Sequence, residues 1–180
     1  MSFIELSGKA VNRAFRLDKT LDLELEREAE KSSTTVSNLV LWMVNWYLNF
    51  HRYNLYRNYI NMGNNTLKTI LEYIDEDRLY PCGFEMGTEN PVSRVFMAGM
   101  KPGEASLRIY LQILDVYANW FEFSEKEIGG KVFVYISHNH GPRWTRFLEG
   151  YFDGAFEKLE IKADIEKHGE SFLIDLKMNV

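Results

Sequence analysis

The feature that most constrains this chain is a short β segment near its start with no neighbour to pair with. Residues 12–17 lack Gly and Pro and end in an alternation that sets Phe15 and Leu17 on one side and Asn12, Ala14 and Arg16 on the other. Asp18 stands where a helix N-cap belongs, and Leu21, Leu25 and Ala29 then recur every four residues between charged ones, the pattern of an amphipathic helix. The polar run 31–35 ends it. Thr35 can cap a second helix carrying Val36, Leu39, Val40, Met43, Val44, Tyr47 and Phe50 on its apolar side. A lone strand leaves amide and carbonyl groups unpaired on both edges, and the nearby sequence offers no hairpin partner. Two copies pairing their strands antiparallel about a two-fold axis would supply one, and the second helices, apolar over more than one stripe, would pack across that axis. The expectation is a dimer whose core is completed by association.

A two-stranded antiparallel ribbon fits the major groove of DNA, where polar side chains on its outer face reach base edges. The order strand, helix, turn, helix resembles the ribbon-helix-helix domains of the methionine and Arc repressors. The resemblance rests on Phe15-Arg16-Leu17-Asp18 leading into Leu21 and Leu25, and on Thr35-Val36-Ser37-Asn38-Leu39. It implies binding of operator DNA by intertwined dimers, with Asn12, Ala14 and Arg16 facing the groove. It also implies that the amides around Thr35 and Val36 hold a backbone phosphate, a role that suits any helix start. Lys9 and Arg13 are expected to assist from the edge or to be plain solvated charge. Two positions depart from the pattern: Ala14 has no hydrogen-bonding group, and the turn before Thr35 lacks the usual glycine. The competing reading of the same residues is an amphipathic helical hairpin that only dimerises or docks.

The net charge of −5 opposes DNA binding as a whole-chain average, but the acid is unevenly placed. Residues 1–60 hold 8 Lys and Arg against 7 Asp and Glu, and the remainder holds 13 against 19. The expected strand is thus locally basic while the helix after it is acidic, which predicts modest nonspecific affinity for DNA. An apolar content of 46% supports a packed core. No apolar run reaches the ~18–20 residues needed to span a bilayer, and the first residues carry neither a signal-peptide core nor a lipidation pattern, so no membrane partner and a cytoplasmic location are expected. Cys82 is the single cysteine, which excludes an intrachain disulfide framework and fits a reducing compartment.

The second helix is expected to run past Phe50, because Leu39, Met43, Trp46, Phe50 and Tyr53 alternate spacings of four and three. Tyr56, Tyr59 and Ile60 extend that side until residues 63–65, Gly-Asn-Asn, end it. Trp42, Trp46, Tyr47, Phe50 and Tyr53 read as packing against a second copy or against the C-terminal part. A short helix follows at about 66–74, and Pro81, Gly83, Gly87 and Pro91 then punctuate an irregular stretch. This organises the chain into a ribbon-helix-helix part, 1–62, a linker with a short helix, 63–90, and an α+β sensor or regulatory domain, 91–180.

Within that last part, residues 92–97 read as a short strand, and Lys101-Pro102-Gly103-Glu104 precedes a helix in which Leu107, Tyr110, Leu111, Leu114, Val116 and Tyr117 are in register. Two alternating runs, 120–127 and 131–137, flank Gly129-Gly130, a strong hairpin signal. Gly141-Pro142-Arg143-Trp144 leads into a helix to about Lys158 with Phe147, Leu148, Tyr151, Phe152 and Phe156 inside, and a second hairpin spans 159–166 and 171–178. The fold class is therefore α+β, with a four-stranded antiparallel sheet covered by helices on one side. The order helix, hairpin, helix, hairpin, with a glycine opening the second helix, resembles the four-vinyl-reductase-like and haem-NO-binding-associated sensor domains. That resemblance implies a module that binds small hydrophobic ligands or dimerises.

The residues 138–140, His-Asn-His, form the cluster that invites a metal reading. Two residues apart in a strand, His138 and His140 share a face and could meet one metal, with His168 or a carboxylate as third ligand. The alternative is that the strand ends at Ser137 and the histidines cap the turn into the following helix. No phosphate-binding loop, activated nucleophile or paired-carboxylate spacing appears, so the chain is not expected to be an enzyme, and no cofactor is assigned. Two functions follow. The first is a sequence-specific DNA-binding transcriptional regulator acting as a homodimer or higher oligomer, with a C-terminal domain sensing a small-molecule effector or a partner. The alternative is a small-molecule sensor or interaction protein that does not bind DNA and uses its N-terminal segment only to dimerise.

Overall fold

A computed structural model describes residues 11–55 and 62–177. The chain divides into two compact units, Met1–Asn58 and Tyr59–Val180. None of the helices among the described residues is long and apolar enough to cross a membrane.

The described part of the first unit is helical. Residues 11–18 run without regular structure, and α1 (Lys19–Lys31) begins where Asp18 accepts hydrogen bonds from the amides of Thr20 (2.9 Å) and Leu21 (3.0 Å). Those bonds satisfy two of the donors that every helix start leaves unpaired. Ser33 takes a left-handed φ of 50° in the turn, the conformation a glycine would adopt at least cost. Thr35 then caps α2 (Val36–Trp46) by accepting from the Asn38 amide at 3.2 Å.

The helix continues through a π-helical turn, Tyr47–His51, into α3 (Arg52–Leu55). The side-chain amides of Asn45 and Asn49 donate to the carbonyls of Leu41 (2.9 Å) and Asn45 (3.0 Å). Such bonds compete with the helical ladder and loosen it, a local cause for the wider turn. The five-residue spacing then stacks Trp46 on His51, ring centroids 4.6 Å apart.

The expected ribbon strand at 12–17 is corrected by this structure. No strand occurs among the described residues of the first unit. Phe15, placed by the alternation on the buried side, is 63% exposed. Tyr56, Tyr59 and Ile60, the expected extension of the helix, lie outside the described residues except as members of the sequence.

The second unit contains α4 (Asn64–Glu72), α5 (Glu76–Met97), α6 (Glu104–Ala118), β1 (Glu122–Ile128), β2 (Lys131–Ser137), α7 (Pro142–Lys158), β3 (Ala163–His168) and β4 (Ser171–Leu176). The two expected hairpins, β1-β2 and β3-β4, join through β2 and β4 into one antiparallel sheet of order β1-β2-β4-β3. Gly129 and Gly130, at φ 60° and 78°, make the first hairpin's turn. Val132, Val134, Ile136, Phe172, Ile174 and Leu176 share the sheet's inner face and are buried. Phe152 of α7 meets Phe172 of β4 edge-on, centroids 5.2 Å apart.

Residues 63–90 hold α4 and most of α5, and residues 92–97 are helical where a strand was expected. The reason is the packing of α5 on α7. Leu79, Gly83, Gly87, Pro91 and Val95, four residues apart along α5, are all buried. A Cβ on Gly83 would overlap the carbonyl of Phe147, and one on Gly87 that of Tyr151. In return, a Cβ on Gly150 would overlap the carbonyl of Tyr80, and one on Gly154 that of Phe84. Rising numbers on one helix meet rising numbers on the other, so the two run parallel. Their backbones touch, and this contact sustains a helix whose two interior prolines each remove a ladder bond.

Candidate functional site

The residues expected to contact DNA are not brought together. Asn12, Arg13, Ala14 and Arg16 lie in the irregular, exposed segment 11–18. Thr35 is spent as the N-cap of α2 and Val36 is its first residue. Lys9 lies outside the described residues. No strand sets Asn12, Ala14 and Arg16 at alternate positions along one face in the described chain. The assignment as a DNA-binding transcription regulator is therefore corrected.

The same unit presents a different surface. Leu41, Trp42, Met43 and Val44 are four consecutive apolar residues, and with Tyr47 each is 46–51% exposed. Four consecutive positions go right round a helix, and α2 contains no buried residue. Leu21 and Leu23 of α1 add to the exposed apolar area.

In the second unit, polar groups converge where β2 leaves the sheet for α7. His138, just past β2, has a fully buried side chain. Its Nδ1 accepts the His140 amide N–H at 3.2 Å, which leaves Nε2 to donate to the Thr145 hydroxyl at 3.1 Å. His140, 5% exposed, pairs its Nε2 with the Asn119 carbonyl at 3.1 Å, at the left-handed residue closing α6. Its Nδ1 is buried with no hydrogen-bond partner among the described residues. Trp144 donates its indole N–H to the Trp120 carbonyl at 3.1 Å and packs edge-on against Trp120 and His140. Beyond this corner the hydroxyls of Tyr110 and Tyr151 meet at 2.5 Å inside the core. No sequence pattern marks that tyrosine pair, because both residues read as ordinary members of apolar helix faces.

Burial pushes the His138 imidazole down to about 4; the Glu170 carboxylate opposes that shift and His140 adds to it. The unfolded chain therefore binds a proton at this residue between about pH 6.5 and 4 while the folded chain does not. Its contribution to stability is complete above that window and is lost as the pH falls through it, at most about 3 kcal/mol. Urea unfolding at pH 7 and pH 5 is expected to show a loss of up to about 2 kcal/mol at the lower pH. The loss should shrink in His138→Gln; an equal loss in that variant would remove His138 as its source.

For the metal reading, both nitrogens of His138 and the Nε2 of His140 are engaged by protein groups, which leaves one ring nitrogen of the four for an ion. His168, the suggested third ligand, is exposed on edge strand β3 beside Glu166. Among the described residues no three His, Cys, Asp or Glu side chains are grouped to hold an ion.

No protein-family model matches the chain, and no curated protein matches it. Among solved structures, it is similar to an H-NOX protein from S. oneidensis in the Fe(II)NO ligation state, with 10% identity, 97% of this chain and 83% of that one covered, and a TM-score of 0.40. It is also similar to an Fe(II) unliganded H-NOX protein from K. algicida, with 15% identity, coverage of 95% and 78%, and a TM-score of 0.27. These likenesses are loose, and no haem site is carried over from them. Of the four ring nitrogens of His138 and His140, three are already bound to protein groups, so this corner does not fit an axial haem ligand set.

Proposed function

We propose that this chain is a non-catalytic sensor or interaction protein that self-associates through its N-terminal helices and presents its α+β unit to a small-molecule effector or a partner. The observation that carries the reading is the all-round apolar exposure of α2. A helix apolar on every side is normally a buried one. Leu41, Trp42, Met43 and Val44 of α2 and Tyr47 of the turn after it are each about half exposed, and Leu21, Leu23 and Phe15 add to the uncovered apolar surface. Exposed apolar surface gathered in this way marks an interaction site. A second copy related by a two-fold axis buries the same residues on both chains.

The test is molar mass by light scattering across micromolar concentrations. The expected result is twice the chain mass, with Trp42→Glu combined with Val44→Glu weakening association by about 3 kcal/mol or more, roughly 100-fold. Circular dichroism should show the second unit unchanged in the variant. A monomeric parent protein would overturn the reading.

A further inference from the structure

The corner around His138 holds one nitrogen with two competing partners. His138 Nδ1 lies 3.2 Å from the His140 amide nitrogen, a donor, and 3.8 Å from Glu170 Oε2, an acceptor. An imidazole nitrogen can accept a hydrogen bond or carry a proton, but not both. In the neutral ring Nδ1 serves the His140 amide and Glu170 stands idle beside it. In the protonated ring the His140 amide loses its acceptor and faces another N–H, while Glu170 gains a charge-assisted partner a short movement away.

We propose that His138 is a proton-operated latch between the end of β2 and the start of α7. Closed, it fixes the His140 backbone, and His140 in turn holds the Asn119 carbonyl at the end of α6. Open, His138 turns to Glu170 on the β3–β4 turn and releases His140 together with its tie to α6. The groups facing His138 are few. Glu170 comes from the β3–β4 turn and His140 from its own loop; Thr145 comes from α7 and Phe172 from β4, both uncharged. The backbone bond from His138 N to the Glu170 carbonyl, 3.1 Å, keeps the two partners in register in either state. The unsatisfied His140 Nδ1 marks this residue as the less firmly held side of the corner.

The test is an NMR titration of the imidazole nitrogens and the His140 amide in the full chain from pH 7 downward. The expected result is a His138 ring in the Nε2–H form through pH 5, with the His140 amide and the Trp120 and Trp144 indoles shifting together as the ring takes its proton. Glu170→Gln should lower that midpoint by about half a unit or more. A His138 that titrates without moving the His140 amide, or a midpoint indifferent to Glu170→Gln, would overturn the proposal. Should the chain unfold before the midpoint, amide exchange decides between pH 7 and 5. Protection at His140, corrected for intrinsic rates, should fall about tenfold per pH unit, since the protonated minority grows by that factor. The Ile174 amide, which opens only with the whole unit, should stay far better protected throughout; a His140 amide as well protected as Ile174 at pH 5 would overturn the proposal equally.

Discussion

Gly150→Ala is expected to prevent the second unit from folding stably. The added Cβ would overlap the Tyr80 carbonyl and crowd the Phe84 amide, both main-chain atoms that cannot swing away as a side-chain tip can. Overpacking a core usually costs 1–3 kcal/mol because side chains shift to accommodate it. Here accommodation requires the two helix axes to separate, which would pull Leu79 and Val95 of α5 away from their packed surroundings. A loss of about 4 kcal/mol or more is expected, a large share of the 5–15 kcal/mol that holds a domain together. Gly83→Ala should behave likewise, since its Cβ would meet the Phe147 carbonyl. Gly63→Ala is the control: nothing lies within 4 Å of its Cβ and its φ is negative, so its effect should stay within about 1 kcal/mol. Thermal melting compares the three. A Gly150→Ala protein melting within two or three degrees of the parent would refute the close helix contact.

Phe152→Ala is expected to be the next most damaging change. The ring is almost fully buried and lies against four others: Phe121, Tyr151, Phe156 and Phe172, with centroids 5.2–6.4 Å away. It is thereby in contact with both hairpins' sheet and the helix that covers them. Removing a buried phenyl group typically costs 3–5 kcal/mol through lost transfer energy and the cavity left behind. Urea unfolding followed by tryptophan fluorescence should show that loss, with Trp120 and Trp144 reporting on this unit. A double-mutant cycle with Phe172→Ala should give a coupling of about 0.5–1.5 kcal/mol for the edge-on pair. Strict additivity would mean that the two rings do not support each other.

The elements legible in the sequence are those whose signal is local. Gly129-Gly130 announced the first hairpin, Asp18 and Thr35 announced two helix starts, and the apolar spacing of Phe147, Leu148, Tyr151 and Phe152 announced α7. α5 was concealed because Gly83 and Gly87 read as breakers, whereas their missing side chains let a second helix reach the backbone. That second helix is more than 60 residues away, so no local window contains the reason. The same limit applies at the front of the chain. The alternation at 12–17 satisfies the period of a strand, but period alone supplies no partner for the backbone, and the segment is irregular. His138 and His140 were correctly seen to be near each other, yet only coordinates show their rings parallel and turned toward protein groups.

The sheet order places β1 and β3 on the two flanks, where each pairs with one strand only among the described residues. Glu122, Glu125, Lys126 and Glu127 on one flank, with Asp164, Glu166 and Lys167 on the other, set charge along both margins. Charged margins of this kind discourage strand-to-strand polymerisation, since a further strand would have to desolvate them. Growth of the sheet into fibrils is thus guarded against in the second unit, while the first unit keeps a greasy helix uncovered.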